Sequence, residues 1–318
     1  KLSGQYIYNN DTWTMYTPES HFTHDGINAI TGYIGSGGDV RIPPTINGNT
    51  ITTIKTNAFL NKPITSLTLA DTITTVQTAA CNNNSLLTSL TLSPNLVSLG
   101  DSAFASNKIA NAIVIPASVT SVGSNCFYKN MITGADLSQL TLTTIPTGMF
   151  GTNQLSTLIL PEGITRINNG AFWDNKPLTS VTIPSTVTYL DIHCFRNCGL
   201  TSLTLPNGLT TIASNAFQDN YIDGTVTLPS SMTTIGIWAF NHNTIDTVII
   251  PDGITNVPEN VFHDNPVSNI TIGPNVTIAT NSQTMGINGA AFRTPYYNLL
   301  QAAGTYIYTA GIGWEQQT

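Results

Sequence analysis

The side chains in this sequence that could bind a metal or move a proton are few, and most of them recur at one interval. Asp174, Asn197, Asp219, His242 and Asp264 follow one another at 22 or 23 residues, with His263 beside the last. If the chain returns to the same place at that interval, the column becomes a row of neighbours. An imidazole between two carboxylates is then a plausible ligand set for a divalent ion. The competing reading is that Asp and Asn are simply common in solvated turns. That reading is adopted: no metal is expected, and Asp219, His242 and Asp264 are the one place left open for a weak site. His21, His24 and Asp25 form a sparser group of the same kind. The four cysteines, Cys81, Cys126, Cys194 and Cys198, include no C-x-x-C pair. They are read as buried thiols, neither a zinc site nor a disulfide framework. No G-x-S-x-G, H-E-x-x-H or phosphate-binding loop occurs, and the carboxylates are scattered. Neither an enzyme nor a cofactor is expected.

Aromatic and arginine residues make the stronger constellation. Arg166 and Tyr189 are 23 residues apart, as are Trp173 and Arg196; Tyr128 falls in the Trp173 column, and Trp238 and Tyr221 stand nearby. A guanidinium one turn from an aromatic ring can stack on it and hold it outward, as a ligand platform requires. The same pairs could equally be local cation–π contacts without a ligand. Trp173, Arg196, Arg166, Tyr189 and Tyr128 are taken as the candidate ligand-binding residues, with each Arg expected to stack on its ring.

The element that positions them is a repeat. Leu155-Ser-Thr-Leu158-Ile-Leu160-Pro161 is followed by Ile164, Ile167, Ala171-Phe172 and Asn175, and this sentence recurs along the chain. The phenylalanines at 104, 127, 150, 172, 195, 217, 240 and 262 are spaced by 22 or 23 residues; Phe59 lies two steps earlier, and Cys81 occupies the slot between. A fixed period of this length is the mark of a solenoid. Alternating pairs such as Leu67/Leu69, Leu90/Leu92 and Leu203/Leu205 predict one short core-facing strand per repeat. Thr-rich pairs such as Thr210-Thr211 predict a second, very short extended ladder behind it. A tight 3₁₀-like turn then carries Ala-Phe into the core. Asn three residues after Phe is expected to satisfy backbone groups of its own and the neighbouring turn. At Cys81 either a cavity remains or Leu86 and Leu87 fill the space. The fold class is therefore mainly β: a right-handed solenoid with one parallel sheet and a compact back of short extended and 3₁₀ segments, capped at both ends.

On these residues the sequence resembles the leucine-rich-repeat superfamily, and its L-x-L-P and A-F-x-x-N pattern resembles the BspA-like type of bacterial surface proteins. The resemblance covers roughly residues 39 to 278. It implies an exported chain that mediates adhesion or ligand binding, and it brings no catalytic residue with it.

Residues 1–38 lack the repeat. Short strands around Tyr6–Tyr8, Phe22–Thr23 and Ile27–Tyr33 predict an N-terminal β cap, which would cover an otherwise open edge. The solenoid is assigned to 39–278. A polar insertion, a short helix over 295–303 and a closing strand with Trp314 make a C-terminal cap over 279–318. Charged residues are only 8% of the chain and the net charge is −7, so nucleic acid is not an expected partner. No apolar run is long enough to span a bilayer. The expectation is a secreted or surface-displayed monomer that binds a protein or glycan ligand on a host, on matrix or on another cell; its signal peptide and any anchor lie outside this sequence. The alternative is a spacer that projects another domain.

Overall fold

The structure, a computed structural model, describes residues 5–9, 12–279, 284–286, 292, 296, 302–310 and 312–317. It is a β-solenoid of about eleven turns. The chain divides into two compact units, residues 1–142 with 146–161, and 143–145 with 162–318.

The first unit opens with an antiparallel hairpin of β1 (Gln5–Asn9) and β2 (Thr12–Tyr16), then a 3₁₀ turn at Glu19–His21, β3 (Phe22–His24) and β4 (Ala29–Tyr33). β3 pairs antiparallel with β4, and β4 pairs in parallel with Thr53–Ile54. From there a ladder of two-residue strands runs through Thr75–Val76 and Ser98–Leu99 to Ser121–Val122. This is the expected back ladder. The front ladder begins at β5 (Gly38–Arg41), which pairs in parallel with Ile64–Thr68, and that strand with Ser89–Thr91. A second run joins Ile113–Val114, Gly134–Asp136 and Thr157–Ile159. Between the two runs a side chain stands in for strand pairing: the Asn111 amide accepts from the Leu90 N–H and donates to the Leu90 C=O, both at 3.2 Å.

The second unit repeats the plan. Its back ladder passes from Thr144–Ile145 through Arg166–Ile167, Tyr189–Leu190 and Thr211–Ile212 to Thr234–Ile235. Its front ladder joins Asp223–Thr227, Thr244–Ile250 and Asn269–Ile272, and an antiparallel hairpin (Gly304–Thr309, Gly313–Gln317) closes it. From this hairpin, Trp314 and Tyr306 pack edge-on to Phe292 with centroids 5.1 and 5.2 Å away. Most of the predicted helix and of the polar insertion lies outside the described residues. The single sheet expected in front is not realised. Val181–Ile183 and Leu203–Leu205 are not strands: hydrogen bonds persist at their approach (Thr201 N–H to Thr179 C=O, 3.0 Å; Asp223 N–H to Thr201 C=O, 3.1 Å) and stop there.

The core is a column of rings. Phe104, Phe127 and Phe150 stack at 5.6 and 5.2 Å; Phe172, Phe195, Phe217, Phe240 and Phe262 stack at 5.4–5.8 Å. Each such pair contributes about 0.5–1.5 kcal/mol beyond its area. Cys81 interrupts the column in the first unit. Leu87 is buried beside the break, but Leu86 is 51% exposed, so it does not fill the slot as expected.

The turn around each ring also differs from expectation. It has the i to i+3 hydrogen bonds of a 3₁₀ helix, for example Asn82 N–H to Ala79 C=O at 3.2 Å, but not its dihedrals. In every turn from Phe59 to Phe262, the residues two before and two after the ring position have φ of 51–60°. Two left-handed residues per turn exclude a right-handed 3₁₀ run and drive the ring inward between them.

Candidate functional site

Asparagine holds most turns to the one before. In the second unit, Asn243 Nδ2 donates to the Phe217 and Phe240 carbonyls, both at 3.0 Å, while its Oδ1 accepts the Ile222 N–H at 3.0 Å. Asn130, Asn220 and Asn265 repeat the arrangement, and all are nearly buried. The back ladder adds hydroxyl bonds at the same offset: Thr165, Thr188, Thr210 and Thr233 each donate to the carbonyl one turn earlier, at 2.9–3.4 Å. Equal slots are thus held in register, which is what puts side chains of separate repeats in contact.

Arg166 and Tyr189 are partners in that register. The Arg166 guanidinium carbon lies 4.0 Å from the Tyr189 ring centroid, and Nη2 donates to Asp191 Oδ2 at 2.5 Å. Charge pairing and ring stacking together fix the guanidinium on the back ladder. The expected stack of Trp173 with Arg196 does not form. Arg196 turns instead to Asp219, one turn later, with Nε and Nη2 both 3.4 Å from Oδ2. An ion pair outcompetes the ring because Asp219 sits one slot over in the neighbouring turn. Trp173 packs back on its own turn: a Cβ added at Gly170 would lie 3.4 Å from its Cδ1. Tyr128 is half-buried in the corresponding slot of the first unit.

The column of Asp and His is a left-handed column. Asp174, Asn197, Asp219, His242 and Asp264 all have positive φ, a conformation that Asn and Asp tolerate best. Their side chains are spent on one another: Asn197 Nδ2 donates to Asp174 at 2.7 Å, His242 Nδ1 lies 3.0 Å from Asp219, and His263 Nδ1 lies 3.0 Å from Asp264. Among the described residues no group of three or more His, Cys, Asp or Glu is placed to hold a metal ion. The four cysteines are buried and unpaired. Burial pushes the Cys81, Cys126 and Cys194 thiols up, and that of Cys198 to about 12.

The pattern described as BspA type leucine rich repeat region, in six copies, matches residues 52–179 and 173–285. The chain belongs to this family. Its BspA-type repeats have a likeness among solved structures to a leucine-rich repeat protein from Bacteroides ovatus, at 16% identity and a TM-score of 0.60, over 89% of this chain and 79% of that one. They are also similar to a leucine rich cell surface protein from Faecalibacterium prausnitzii, at 20% identity and a TM-score of 0.50, over 86% and 90% of the two chains. At these identities the likeness is one of fold. No curated protein matches the sequence. Among the described residues of this BspA-type chain, no helix is long and apolar enough to cross a membrane.

One further feature lies outside the repeat and was not singled out from the sequence. A cleft of about 550 Å³ opens in the first unit between β2 and the outer face of the first two front strands. A second of about 340 Å³ shares Thr14, Tyr16, Arg41 and Thr68 with it. Sequence gave no signal for it because β2 falls in no repeat and its distance from β5 in the chain carries no period.

Proposed function

We propose that the chain is a non-enzymatic binding or adhesion module, secreted or displayed at a bacterial surface, that recognises a protein or glycan ligand as a monomer. Residues 1–38 and 279–318 serve as its caps. The contact residues are Arg166 and Tyr189 on the back ladder, with Trp173, Arg196 and Tyr128 at the turns. The observation that supports this most is the Arg166–Tyr189 stack clamped by Asp191. A ring and a guanidinium already immobilised lose little entropy on binding, so a contact made there keeps most of its gross energy. The likeness to a Faecalibacterium prausnitzii cell surface protein agrees with display.

The test is an array of glycans and matrix proteins probed with this chain. Tyr189→Ala is expected to weaken any hit about tenfold or more, as anchor residues do, with little change in melting temperature. Trp173→Ala tests the turn surface in the same way. Hits that both variants leave unchanged overturn the assignment of the contact residues. Binding nothing on the array while projecting a fused domain normally favours the spacer.

A further inference from the structure

We propose that the cleft beneath the N-terminal hairpin binds a carboxylated sugar residue, a uronic or a sialic acid. The site goes beyond the Arg166–Tyr189 surface and does not depend on it.

Thr14, Met15 and Tyr16 of β2 line the cleft; so do Asp39, Val40 and Arg41 of β5, with Ser66 and Thr68 of the next front strand. Register puts Asp39 beside Ser66 and Arg41 beside Thr68. Just past β2, the Thr17 N–H donates to the Arg41 C=O at 3.0 Å and the Arg41 N–H donates to Thr17 Oγ1 at 2.9 Å, which ties the hairpin to β5. These bonds use the Arg41 backbone and leave its side chain uncommitted. The guanidinium is exposed and has no hydrogen-bond or ion-pair partner among the described residues, whereas Arg166 and Arg196 are both paired to Asp.

Asp39 is held differently. The Thr65 and Ser66 hydroxyls both donate to its Oδ1, at 2.8 and 2.9 Å, which keeps the carboxylate charged and oriented and leaves Oδ2 open. Two residues along one strand, Asp39 and Arg41 are roughly 7 Å apart along the backbone. A pyranose carrying a carboxylate has a matching polarity: an anion at one side for a bidentate guanidinium, and hydroxyl donors across the ring for a fixed carboxylate. Tyr16 supplies an aromatic wall, and Ser66 and Thr68 supply small hydroxyls. Thr72, which lines the second cleft, has a buried Oγ1 without a hydrogen-bond partner. A volume of about 550 Å³ lies within the range of small-ligand sites. Asp39 and Asp71 at the walls and a net charge of −7 disfavour a polyanionic chain, so a single acidic residue fits better than a sulfated or phosphorylated polymer.

The experiment is saturation-transfer NMR and calorimetry on the whole chain with sodium glucuronate and with N-acetylneuraminic acid. Their methyl esters, glucose, acetate and inorganic phosphate are the controls. At least one of the two acids is expected to bind, and its methyl ester about tenfold more weakly, because esterification removes the charge that Arg41 pairs with. Which acid binds identifies the source. Arg41→Gln is expected to abolish binding at an unchanged melting temperature, and Tyr16→Ala to weaken it. Asp39→Asn should weaken both acids. The proposal is overturned if neither acid binds, if the esters bind as well as the acids, or if acetate or phosphate binds as tightly as the sugar acid. It is equally overturned if Arg41→Gln and Tyr16→Ala both retain full affinity.

Discussion

Cys198 takes the place of Asn in one turn, and its neighbour in space explains why it can. Its thiol lies 3.3 Å from the Phe172 carbonyl and so replaces one Asn donor. In the turns at Asn130, Asn220, Asn243 and Asn265, Oδ1 accepts the N–H two residues past the preceding ladder residue. For position 198 that residue is Pro177, which has no N–H to give. The missing acceptor and the missing donor cancel. Cys198→Asn alone is therefore expected to cost about 1–2 kcal/mol, since it buries a carbonyl with no donor. The same change combined with Pro177→Ala should recover much of that loss, and a urea-denaturation double-mutant cycle measures the coupling. A second residue-scale effect concerns strain. Trp238 sits at φ of 60° and is 42% exposed, in a slot that other turns give to Asn, Ser, Ala, His or Gly. Trp238→Asn should raise stability by about 1 kcal/mol, the relief of a bulky residue from left-handed backbone. At this scale the sequence was legible wherever two slots alone decide a contact. Arg166 over Tyr189 followed from equal offsets. Arg196 did not, because the partner that captured it, Asp219, is in a different slot. Arg41 was invisible because what matters is its lack of a partner among the described residues.

The ladders were legible as elements before their hydrogen bonds were. The alternation in Leu67/Leu69 and the Thr pairs placed front and back correctly, since burial on one face must follow the strand period. The breaks could not be read this way. Val181–Ile183 has the same alternation as Val248–Ile250, yet only the latter is strand. Pattern specifies which face is buried, whereas hydrogen bonding depends on the spacing of neighbouring turns. The handedness of the turns left a trace that went unread: Asn and Asp crowd the positions two before and two after the ring because they tolerate positive φ. The Asn ladder is the element most exposed to mutation. Asn243→Ala removes one acceptor and two donors from buried backbone groups, so a loss of about 2–4 kcal/mol is expected in urea denaturation. Thr233→Ala, whose hydroxyl bond is exposed, should cost about 0.5 kcal/mol or less. Equal losses from the two would show that the ladder is not what fixes the turns.

For the molecule as a whole, stability should fall with acidification in two stages. His193 has its pKa lowered, first by burial and then by the Arg196 charge, so the folded state resists its protonation. Its contribution is complete above about 6.5, the ordinary value, and is lost as pH drops below that. Asp25, Asp39 and Asp136 are held below the usual carboxylate range, by backbone N–H groups at Asp25 and Asp136 and by hydroxyls at Asp39. They stabilise above their ordinary value, and that contribution is lost as pH falls through the depressed folded values. Melting temperature measured against pH should show both stages, and His193→Asn should remove the upper one while suiting the positive φ there. The Asn hydrogen bonds carry one more consequence, for the rate of folding. Their reach to the turn before is 20–26 residues wherever they occur. The loop that must close when one turn settles on the next therefore has the same length all along the chain, and so nearly the same entropic cost. Growth from any formed pair of turns meets no larger closure later on, unlike a sheet whose first and last strands must meet. Deleting one whole turn, such as residues 201–222, should lower total stability while leaving the refolding rate nearly unchanged in stopped-flow measurements.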